Sequence, residues 1–403
     1  MIPVKEALDI VLREAGTLAS ERVSLDAALG RVLAEEVFAD TDLPPFDRAQ
    51  MDGYAVRSGD LRETPARLRV VGEAAAGSGW RGTLRPGEAV RIMTGAPMPE
   101  GADSVQQVEV TRETEDGRLV EIDRATAPGQ FYVPRASEVR AGQRVLEAGE
   151  EVSAARAAVL ASFGYEFVPV RRRPRVAVLA TGTELVKVGE RPGEDQIRDS
   201  NSYSLAAYAR LAGAEAERLP FASDDLESLG REIEAAAARS DLLALSGGVS
   251  MGRYDFTKAA LRALGAEVFF ERVALRPGKP TVFARLPGGA LVFGLPGNPV
   301  SVSVTFNLFA RTALRRMQGA RDAAPREETA VLSHPAKAAA GRDSYLPAAL
   351  STDAGGRLLA EPLKWGGSSD FVAFARAEAL AVAPAGAGTL EAGSPVKVVR
   401  LPG

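Results

Sequence analysis

The residues best placed to do chemistry lie in the loop Ser246-Gly247-Gly248, which follows the apolar run Leu242 to Leu245 and leads to Ser250 and Asp255. The apolar run has the length and flanks of a buried strand. Glycines let the backbone turn sharply and approach a ligand closely, and unpaired amides in such a turn favour an anion. The loop therefore indicates either a site for a phosphate-bearing ligand with a metal or proton partner, or a strand-to-helix connection that binds nothing.

Two further glycine-bearing loops follow apolar runs, Thr181-Gly182-Thr183-Glu184 and Pro296-Gly297-Asn298-Pro299. Strand and helix patterns alternate over residues 174–320, which predicts a parallel sheet with helices on both faces and these loops at one edge. Ligands of open α/β sheets bind outside the carboxyl ends of the strands. The three loops together therefore predict a concave ligand site, in which Ser301 either donates to an oxyanion or caps a helix.

The 403-residue chain has no cysteine and one histidine, His334. This composition excludes disulfides, thiolate nucleophiles and cysteine-ligated zinc or iron–sulfur clusters, and it leaves little scope for a histidine relay. Carboxylates, lysine, arginine, hydroxyls and backbone groups remain. Such a set suits phosphate and hard-metal chemistry, in which Mg²⁺ takes oxygen ligands and cationic side chains neutralise negative charge.

The net charge is −4, and acidic and basic residues are interspersed along the chain. This pattern argues against a nucleic-acid-binding surface. We interpret the dense basic run at residues 171–175 as a solvated linker ahead of a strand rather than as an anion patch. No apolar run approaches the roughly 20 residues of a membrane span, and the amphipathic N-terminus is unlike a signal peptide, so we expect a soluble cytoplasmic protein.

The length of the chain predicts more than one domain. Helical spacing recurs over residues 4–15, 25–33 and 154–163, and short strand patterns between glycines and prolines fill the segments on either side of the α/β region. The expected fold is a mixed multidomain α/β protein with four parts: a discontinuous helical linker domain (1–45 and 138–173), a β-rich module (46–137), a doubly wound α/β domain (174–320) and a C-terminal β domain (321–403).

Seven separated segments match a known family: LPPFDRAQMDGYAVR, IMTGAPMPEGAD, ATGTELV, IRDSN, SGGVSMGRYD, LRPGKPTVF and GLPGNPVS. Over essentially its whole length the chain resembles the molybdopterin molybdenumtransferase family, called MoeA in bacteria and the E domain of gephyrin in animals. The resemblance implies a four-domain homodimer with a MogA-like α/β domain, a small C-terminal β-barrel, and an active site between the α/β domain of one subunit and the β module of the other. It also implies the last step of molybdenum cofactor assembly, in which adenylylated molybdopterin receives molybdenum from molybdate in the presence of Mg²⁺ and AMP is released.

The resemblance implies roles for individual residues. Catalytic roles are implied for Asp52, Thr94, Glu184, Asp225, Asp255 and Lys279. Substrate binding is implied for Ser246, Gly247, Gly248, Ser250, Arg276, Pro296, Gly297, Asn298 and Ser301. The metal ligands would come from Glu184, Asp225 and Asp255. A MogA-type adenylyltransferase is an expected transient partner, whereas no nucleic-acid or membrane partner is expected.

The chain departs from the family pattern in its C-terminal domain. Pro347 stands where the family often has arginine, and Arg376-Ala377-Glu378 stands where it has Ser-Ala-Asn. These positions are associated with oxyanion recognition in the family, and Arg376 is a candidate substitute; Arg276 similarly replaces a usual lysine. Three alternatives therefore stay open: a divergent paralogue that handles tungstate, a pterin-binding adenylyltransferase, and a non-catalytic gephyrin-like scaffold.

Overall fold

The computed structural model describes residues 1–114, 116–222, 225–248 and 256–402. Ser250 and Asp255 lie outside these residues, so their predicted roles stay predictions. The chain divides into two compact units, a larger unit (Met1–Glu35, Ala148–Ala154 and Phe167–Gly403) and a smaller unit (Glu36–Glu147 and Ala155–Glu166). Among the helices of the described residues, none combines the length and the apolar character that crossing a membrane requires.

A six-stranded sheet forms the α/β part of the larger unit. In spatial order its strands are Glu215–Arg218, Arg175–Ala180, Leu242–Ser246, Leu291–Leu295, Val282–Arg285 and Glu267–Phe270. All neighbours pair in parallel except Val282–Arg285, which is antiparallel to both of its neighbours. The prediction of a parallel sheet is wrong for this strand. Only the short turn at residues 286–290 links it to Leu291–Leu295, whereas a parallel connection needs a crossover of about a dozen residues.

Helices cover both faces of this sheet, as predicted. One face packs against helices Leu226–Ala237 and Phe256–Ala263. The other face packs against the predicted N-terminal helix Val4–Glu14, against Asn201–Leu211, and against a continuous helical segment composed of Pro299–Thr305, the π-helical turn Phe306–Ala310 and Arg311–Met317. The central strands are buried throughout because both faces are covered, which explains their uninterrupted apolar sequences.

The helix predicted over residues 25–33 does not form. A single 3-10 turn at Leu25–Ala27 ends before Gly30, whose φ of +72° lies in the left-handed region. The backbone then pairs with another segment, since the Leu33 amide donates to the Glu150 carbonyl. Hydrogen bonds between segments therefore override the helical spacing of the apolar residues here.

The basic run at residues 171–175 is not the solvated linker that we expected. Arg171 ends the strand Phe167–Arg171, which pairs antiparallel with Ser20–Ser24. Arg172 donates from both terminal nitrogens to the Asp241 carboxylate, at 2.6 and 2.7 Å. These cations are held by partners inside the fold.

The C-terminal part of the larger unit is a closed barrel, which confirms the predicted small β-barrel. Its strands pair around a ring in the order Asp343–Thr352, Leu358–Pro362, Glu327–Leu332, Pro395–Arg400 and Ala379–Ala383, and the last pairs with the first. Alanines fill much of its interior, as suits a narrow barrel. The strand Leu275–Arg276 pairs with Asp343 and Ser344, so it ties the segment before Lys279 to the barrel. The remaining elements of the larger unit are the pairs Leu185–Val186 with Ile197–Arg198 and Ala336–Lys337 with Thr389–Leu390, and the short helix Phe371–Phe374.

The smaller unit is β-rich, as predicted. Its six-stranded sheet has the order Ser104–Gln107, Gly53–Val56, Glu88–Ile92, Ala66–Ala74, Leu119–Ile122 and Thr111–Thr114. It is accompanied by the pairs Val37–Phe38 with Arg144–Leu146 and Arg48–Ala49 with Tyr132–Val133, by 3-10 turns at Ser58–Leu61 and Val108–Val110, and by the predicted helix Ala154–Ser162. A Cβ at Gly53 would lie 2.0 Å from the Gln106 carbonyl oxygen. Glycine therefore lets a central strand begin directly after Asp52.

Candidate functional site

The three glycine-bearing loops lie at one edge of the α/β sheet. Ala180 pairs with Ser246, and Ser246 pairs with Leu295, so three adjacent parallel strands end in register. Each loop starts from one of these residues. The structure therefore places the loops where ligands of open α/β sheets bind.

Asn201 fastens two of these loops together. Its side-chain Nδ2 donates to Ser246 Oγ at 2.9 Å and to the Gly297 carbonyl oxygen at 2.7 Å. Its buried Oδ1 has no hydrogen-bond partner among the described residues. An unpaired acceptor at this position favours a ligand that donates a hydrogen bond. Asn201 lies in the segment IRDSN, and no role was predicted for it from the sequence.

The glycines of these loops differ in how much room the fold leaves for a side chain. Gly247 has a φ of +96°, and a Cβ there would lie 2.6 Å from the Thr181 carbonyl oxygen. Gly248 has a φ of +63°, and its Cβ would lie 2.6 Å from Thr257 Oγ1. At Gly297 the nearest heavy atom would be the Gly247 Cα, at 3.9 Å. The fold therefore requires glycine at 247 and 248 but leaves room for a methyl group at 297.

A cavity of about 710 Å³ opens at these loops, and we call it the glycine-loop cavity. It brings together five of the predicted site residues: Glu184, Ser246, Gly247, Gly297 and Asn298. Asn201 and the exposed ring of Phe371 also line it. Its size falls within the usual range for small-molecule and cofactor sites.

A second cavity, of about 1110 Å³, lies between the α/β part and the barrel of the larger unit, and we call it the basic cavity. It brings together Arg276, Lys279, Pro296, Asn298 and Ser301 of the predicted residues. It is also lined by His334 and by further cations, Lys337, Arg342 and Lys364. Glu361 is the one carboxylate among its lining residues in the described chain.

The cations of the basic cavity have few partners within the protein. Among the described residues, no side-chain hydrogen bond or ion pair engages Arg276, Lys279, Lys337, Arg342 or Lys364. Unpaired cations that converge on one cavity favour an anion, because each can neutralise negative charge without breaking an existing ion pair. The basic cavity is therefore suited to an oxyanion or a phosphate.

The loop that presents Lys279 is fixed by its backbone. The Lys279 carbonyl oxygen accepts from the Val273 amide at 3.0 Å, and the Gly278 carbonyl oxygen accepts from Thr281 Oγ1 at 2.7 Å. Gly278 has a φ of +115°, and a Cβ there would lie 2.4 Å from Thr305 Cγ2. A rigid, buried loop thus holds an exposed lysine head at the cavity.

Asn298 lines both cavities and connects their walls. It occupies the N-cap of the helix that begins at Pro299, but its side chain does not cap that helix. Instead, Asn298 Nδ2 donates to Ser368 Oγ at 2.8 Å. Ser301, two residues into the helix, is buried and also has no capping role, so the alternative of a helix cap is wrong and a role at the basic cavity stays a prediction.

Asp52 and Thr94 form a polar pair in the smaller unit. The Thr94 amide and the Thr94 hydroxyl both donate to Asp52 Oδ1, at 2.6 and 2.7 Å. These two hydrogen bonds hold the pKa of the Asp52 carboxyl below its usual range, and the bond from the Thr94 hydroxyl has a larger effect than the bond from the Thr94 amide. Asp52 is thus kept ionised and oriented at the start of strand Gly53–Val56.

We expect Thr94→Val to raise the pKa of Asp52 toward its ordinary value of about 3.9, because only the amide bond would remain. Thr94→Ser should keep the pKa low. Since the folded pKa is depressed, the hydroxyl bond stabilises the fold above the unfolded pKa, and this stabilisation is lost as pH falls through the folded pKa. Carbon-13 NMR titration of the Asp52 carboxyl measures the change, and equal pKa values in the two variants would contradict the assignment.

The predicted metal ligands do not form a cluster among the described residues. No group of three or more histidine, aspartate or glutamate side chains there could hold a metal ion. Glu184 is exposed and lines the glycine-loop cavity. Asp225 lines neither cavity; its carboxylate caps helix Leu226–Ala237 by accepting from the Ser228 amide at 2.8 Å. Asp255 lies outside the described residues.

The structure shows where Pro347 and Arg376, which depart from the family pattern, lie relative to the basic cavity. Pro347 is buried in the barrel strand Asp343–Thr352, where its carbonyl oxygen accepts from the Leu363 amide. Arg376, which the sequence offered as a substitute, does not line the basic cavity. Arg342 and Lys364 do line it, so part of the positive charge of the cavity comes from positions that were not predicted from the sequence.

Family models match the chain almost from end to end. The MoeA N-terminal region (domain I and II) matches residues 2–164, a probable molybdopterin binding domain matches residues 177–316, and the MoeA C-terminal region (domain IV) matches residues 329–401. The glycine-loop cavity is lined mainly by residues of the second match.

Named relatives and solved structures agree with these models. The molybdopterin molybdenumtransferase of Nostoc sp. is 39% identical over 393 residues, covering 95% of this chain and 89% of that protein. The Bacillus subtilis protein of the same name is 36% identical over 418 residues, covering 99% and 94%. A crystal structure of a MoeA molybdopterin biosynthesis protein from Pyrococcus horikoshii is similar over 100% of both chains, with a TM-score of 0.86 and 28% identity.

Proposed function

The chain belongs to the MoeA family of molybdopterin molybdenumtransferases, and on this premise we propose how its two cavities divide the work of the reaction. The enzyme transfers molybdenum from molybdate to molybdopterin in molybdenum cofactor biosynthesis. The glycine-loop cavity binds adenylylated molybdopterin, and the basic cavity binds molybdate. AMP is released when molybdenum has been inserted.

One observation supports this division above the others: the two cavities share Asn298, and among the described residues only the basic cavity is lined by unpaired cations. A glycine-lined cavity that presents the side chains of Asn201, Ser246 and Asn298 suits a pterin, whose ring nitrogens and amino group need hydrogen-bond donors and acceptors. Asn201 Oδ1 would accept from such a donor group. A doubly charged oxyanion is better matched by the cations around Lys279.

Cleaving the link between AMP and the pterin phosphate requires positioning and charge neutralisation more than covalent chemistry from the protein. Lys279 and Arg276 would neutralise oxyanion or phosphate charge at the basic cavity. The backbone of Gly247 and Gly297 would let the substrate approach the strand ends closely. Ser301 would donate to an oxyanion from the wall of the basic cavity.

We assign Mg²⁺ a place beside Glu184. In proteins Mg²⁺ is commonly held by one or two carboxylates together with substrate phosphates, and Glu184 supplies one exposed carboxylate to the glycine-loop cavity. Asp255 is the proposed second ligand. Asp225 is a weaker candidate because its carboxylate already caps a helix. When bound, the cation would neutralise charge on the phosphate link that is cleaved.

We also propose that the protein forms a homodimer and contacts a MogA-type adenylyltransferase transiently, because the family resemblance implies both. Sedimentation velocity measures the mass of the species in solution and so tests the homodimer. We expect a species of about twice the 42.4 kDa chain mass, and a monomer at working concentration would contradict the dimer.

The direct test of the proposed reaction is AMP release. Purified protein is incubated with adenylylated molybdopterin and Mg²⁺, with molybdate, with tungstate, or with neither. We expect release that depends on molybdate and exceeds the control without protein. Release with tungstate alone would favour the divergent paralogue, and no release with either oxyanion would overturn the enzymatic function.

A further inference from the structure

A third cavity, of about 450 Å³, lies in the larger unit away from the two already described, and we call it the arginine cavity. Its cations are Arg173, Arg210, Arg311, Arg315 and Arg326, and its carboxylates in the described chain are Glu151 and Asp322. Positive charge therefore exceeds negative charge around it. Arg173 belongs to the basic run at residues 171–175, whereas none of the site residues predicted from the sequence is among the described residues that line this cavity.

The arginine cavity lies at the opposite edge of the α/β sheet from the glycine loops. Arg173 and Gly213 line it, and they come just before the parallel strands Arg175–Ala180 and Glu215–Arg218. The glycine loops instead follow the ends of strands. A ligand in the arginine cavity would thus occupy a site separate from the proposed active site.

The guanidinium groups are only partly used by the protein. Arg315 pairs with Glu151 at 2.7 Å, and Arg210 donates to the Ala216 carbonyl oxygen at 2.9 Å. Arg311 is half-buried, and its side chain forms no hydrogen bond or ion pair within the part of the chain that the structure describes. A partly desolvated guanidinium without a partner favours an anion, which would supply the missing hydrogen bonds.

A second and independent observation comes from Asn307. This residue is 1% exposed and lines the arginine cavity, and its Oδ1 has no hydrogen-bond partner among the described residues. Asn307 Nδ2 is engaged, since it donates to the Ser303 carbonyl oxygen at 2.9 Å. Asn307 belongs to the π-helical turn Phe306–Ala310, and such turns are frequent at functional sites. A buried acceptor without a donor is costly, and a donor group on a ligand would satisfy it.

We propose that the arginine cavity binds a phosphorylated small molecule that also carries a hydroxyl or amino group. Arg311, Arg315 and Arg326 face the phosphate, and Asn307 Oδ1 accepts a hydrogen bond from the donor group. The volume of the cavity is sufficient for a sugar phosphate and falls within the range of small-molecule sites. This site is independent of the proposed molybdenum transfer.

The test uses the full chain and two probes, ribose 5-phosphate and inorganic phosphate, in isothermal titration calorimetry. We expect ribose 5-phosphate to bind the wild type more tightly than phosphate does. The binding that survives Lys279→Gln reports the arginine cavity, and Arg311→Gln should weaken this binding of both probes by about ten- to hundredfold, the usual effect of losing a hydrogen bond to a charged group. Asn307→Ala should remove the preference for ribose 5-phosphate and leave phosphate binding in place.

Two controls separate this site from the rest of the molecule. Arg316→Gln alters a cation of the same helix that does not line the arginine cavity, and its binding should match the wild type. Lys279→Gln removes a cation of the basic cavity, and ribose 5-phosphate binding should also survive it. Loss of binding in Lys279→Gln but not in Arg311→Gln would place the anion in the basic cavity and overturn the proposal.

Folding is monitored by the thermal unfolding temperature without ligand. Arg311→Gln should leave it unchanged or raise it, because the substitution removes a half-buried, unpaired charge. If that variant fails to fold, the exposed Arg326→Gln takes its place, with the same expected loss of binding. No measurable binding of either probe to the wild type would overturn the proposal.

Discussion

Lys279→Met is expected to lower the rate of molybdenum insertion by on the order of 10²–10³-fold, while the protein stays folded. Lys279 is exposed at the basic cavity and has no side-chain partner among the described residues, so its removal breaks no internal ion pair. The loop that presents it is fixed by backbone hydrogen bonds and by Gly278, which the substitution leaves intact. The substitution should therefore weaken the interaction with the oxyanion and leave the stability of the fold unchanged.

The matched control is Lys397→Met, an exposed lysine on the barrel strand Pro395–Arg400 that lines neither proposed active-site cavity. Its rate and unfolding temperature should equal those of the wild type. Measuring the rate of Lys279→Met at several molybdate concentrations separates weakened molybdate binding from a slower chemical step. A Lys279→Met rate within twofold of the wild type would contradict the assignment of the basic cavity.

Gly297→Ala is expected to lose substrate binding but not stability, whereas Gly247→Ala is expected to lose stability. The methyl group at 297 meets nothing closer than 3.9 Å within the protein, so the variant should keep its unfolding temperature. It should nevertheless bind adenylylated molybdopterin at least tenfold more weakly, because the methyl group projects from a loop that lines the glycine-loop cavity, the proposed substrate site. At 247 the methyl group meets the Thr181 carbonyl oxygen at 2.6 Å on a left-handed backbone, which should cost about 2 kcal/mol or more of stability.

Thermal unfolding and equilibrium binding of the substrate, measured on both variants, separate the two effects. Gly288→Ala serves as a further control, since a Cβ there meets nothing within 4 Å and Gly288 lines neither the glycine-loop cavity nor the basic cavity. Tight substrate binding by a fully folded Gly297→Ala would show that the loop after Leu291–Leu295 does not contact the substrate. An unchanged unfolding temperature for Gly247→Ala would contradict the expected clash between a methyl group at 247 and the Thr181 carbonyl oxygen.

The sequence allowed the position of the glycine loops to be predicted, because parallel strands that alternate with helices bring their carboxyl ends to one edge. The in-register pairing of Ala180, Ser246 and Leu295 agrees with this. The antiparallel strand Val282–Arg285 was missed because its connection is too short for a helix. The helix expected at residues 25–33 was wrong because pairing with distant segments overrides local spacing.

The rest of the candidate site depends on contacts between distant segments. Asn201 joins two loops that are far from it in sequence, and only its place at a helix start after a strand-like segment hinted at a role. Lys337, Arg342 and Lys364 reach the basic cavity because the barrel packs against the segment before Lys279. No local pattern marks such cations, since each lies in an ordinary β-rich sequence.

The most direct test of the central claim is activation of a molybdenum-free molybdoenzyme. The wild type, incubated with adenylylated molybdopterin, Mg²⁺ and molybdate, is mixed with the apoenzyme, and the recovered molybdoenzyme activity is measured. We predict activity that requires this protein and molybdate together, and that falls with Lys279→Met but not with Lys397→Met. Activation that is equal with and without the protein would contradict the claim that this chain inserts molybdenum.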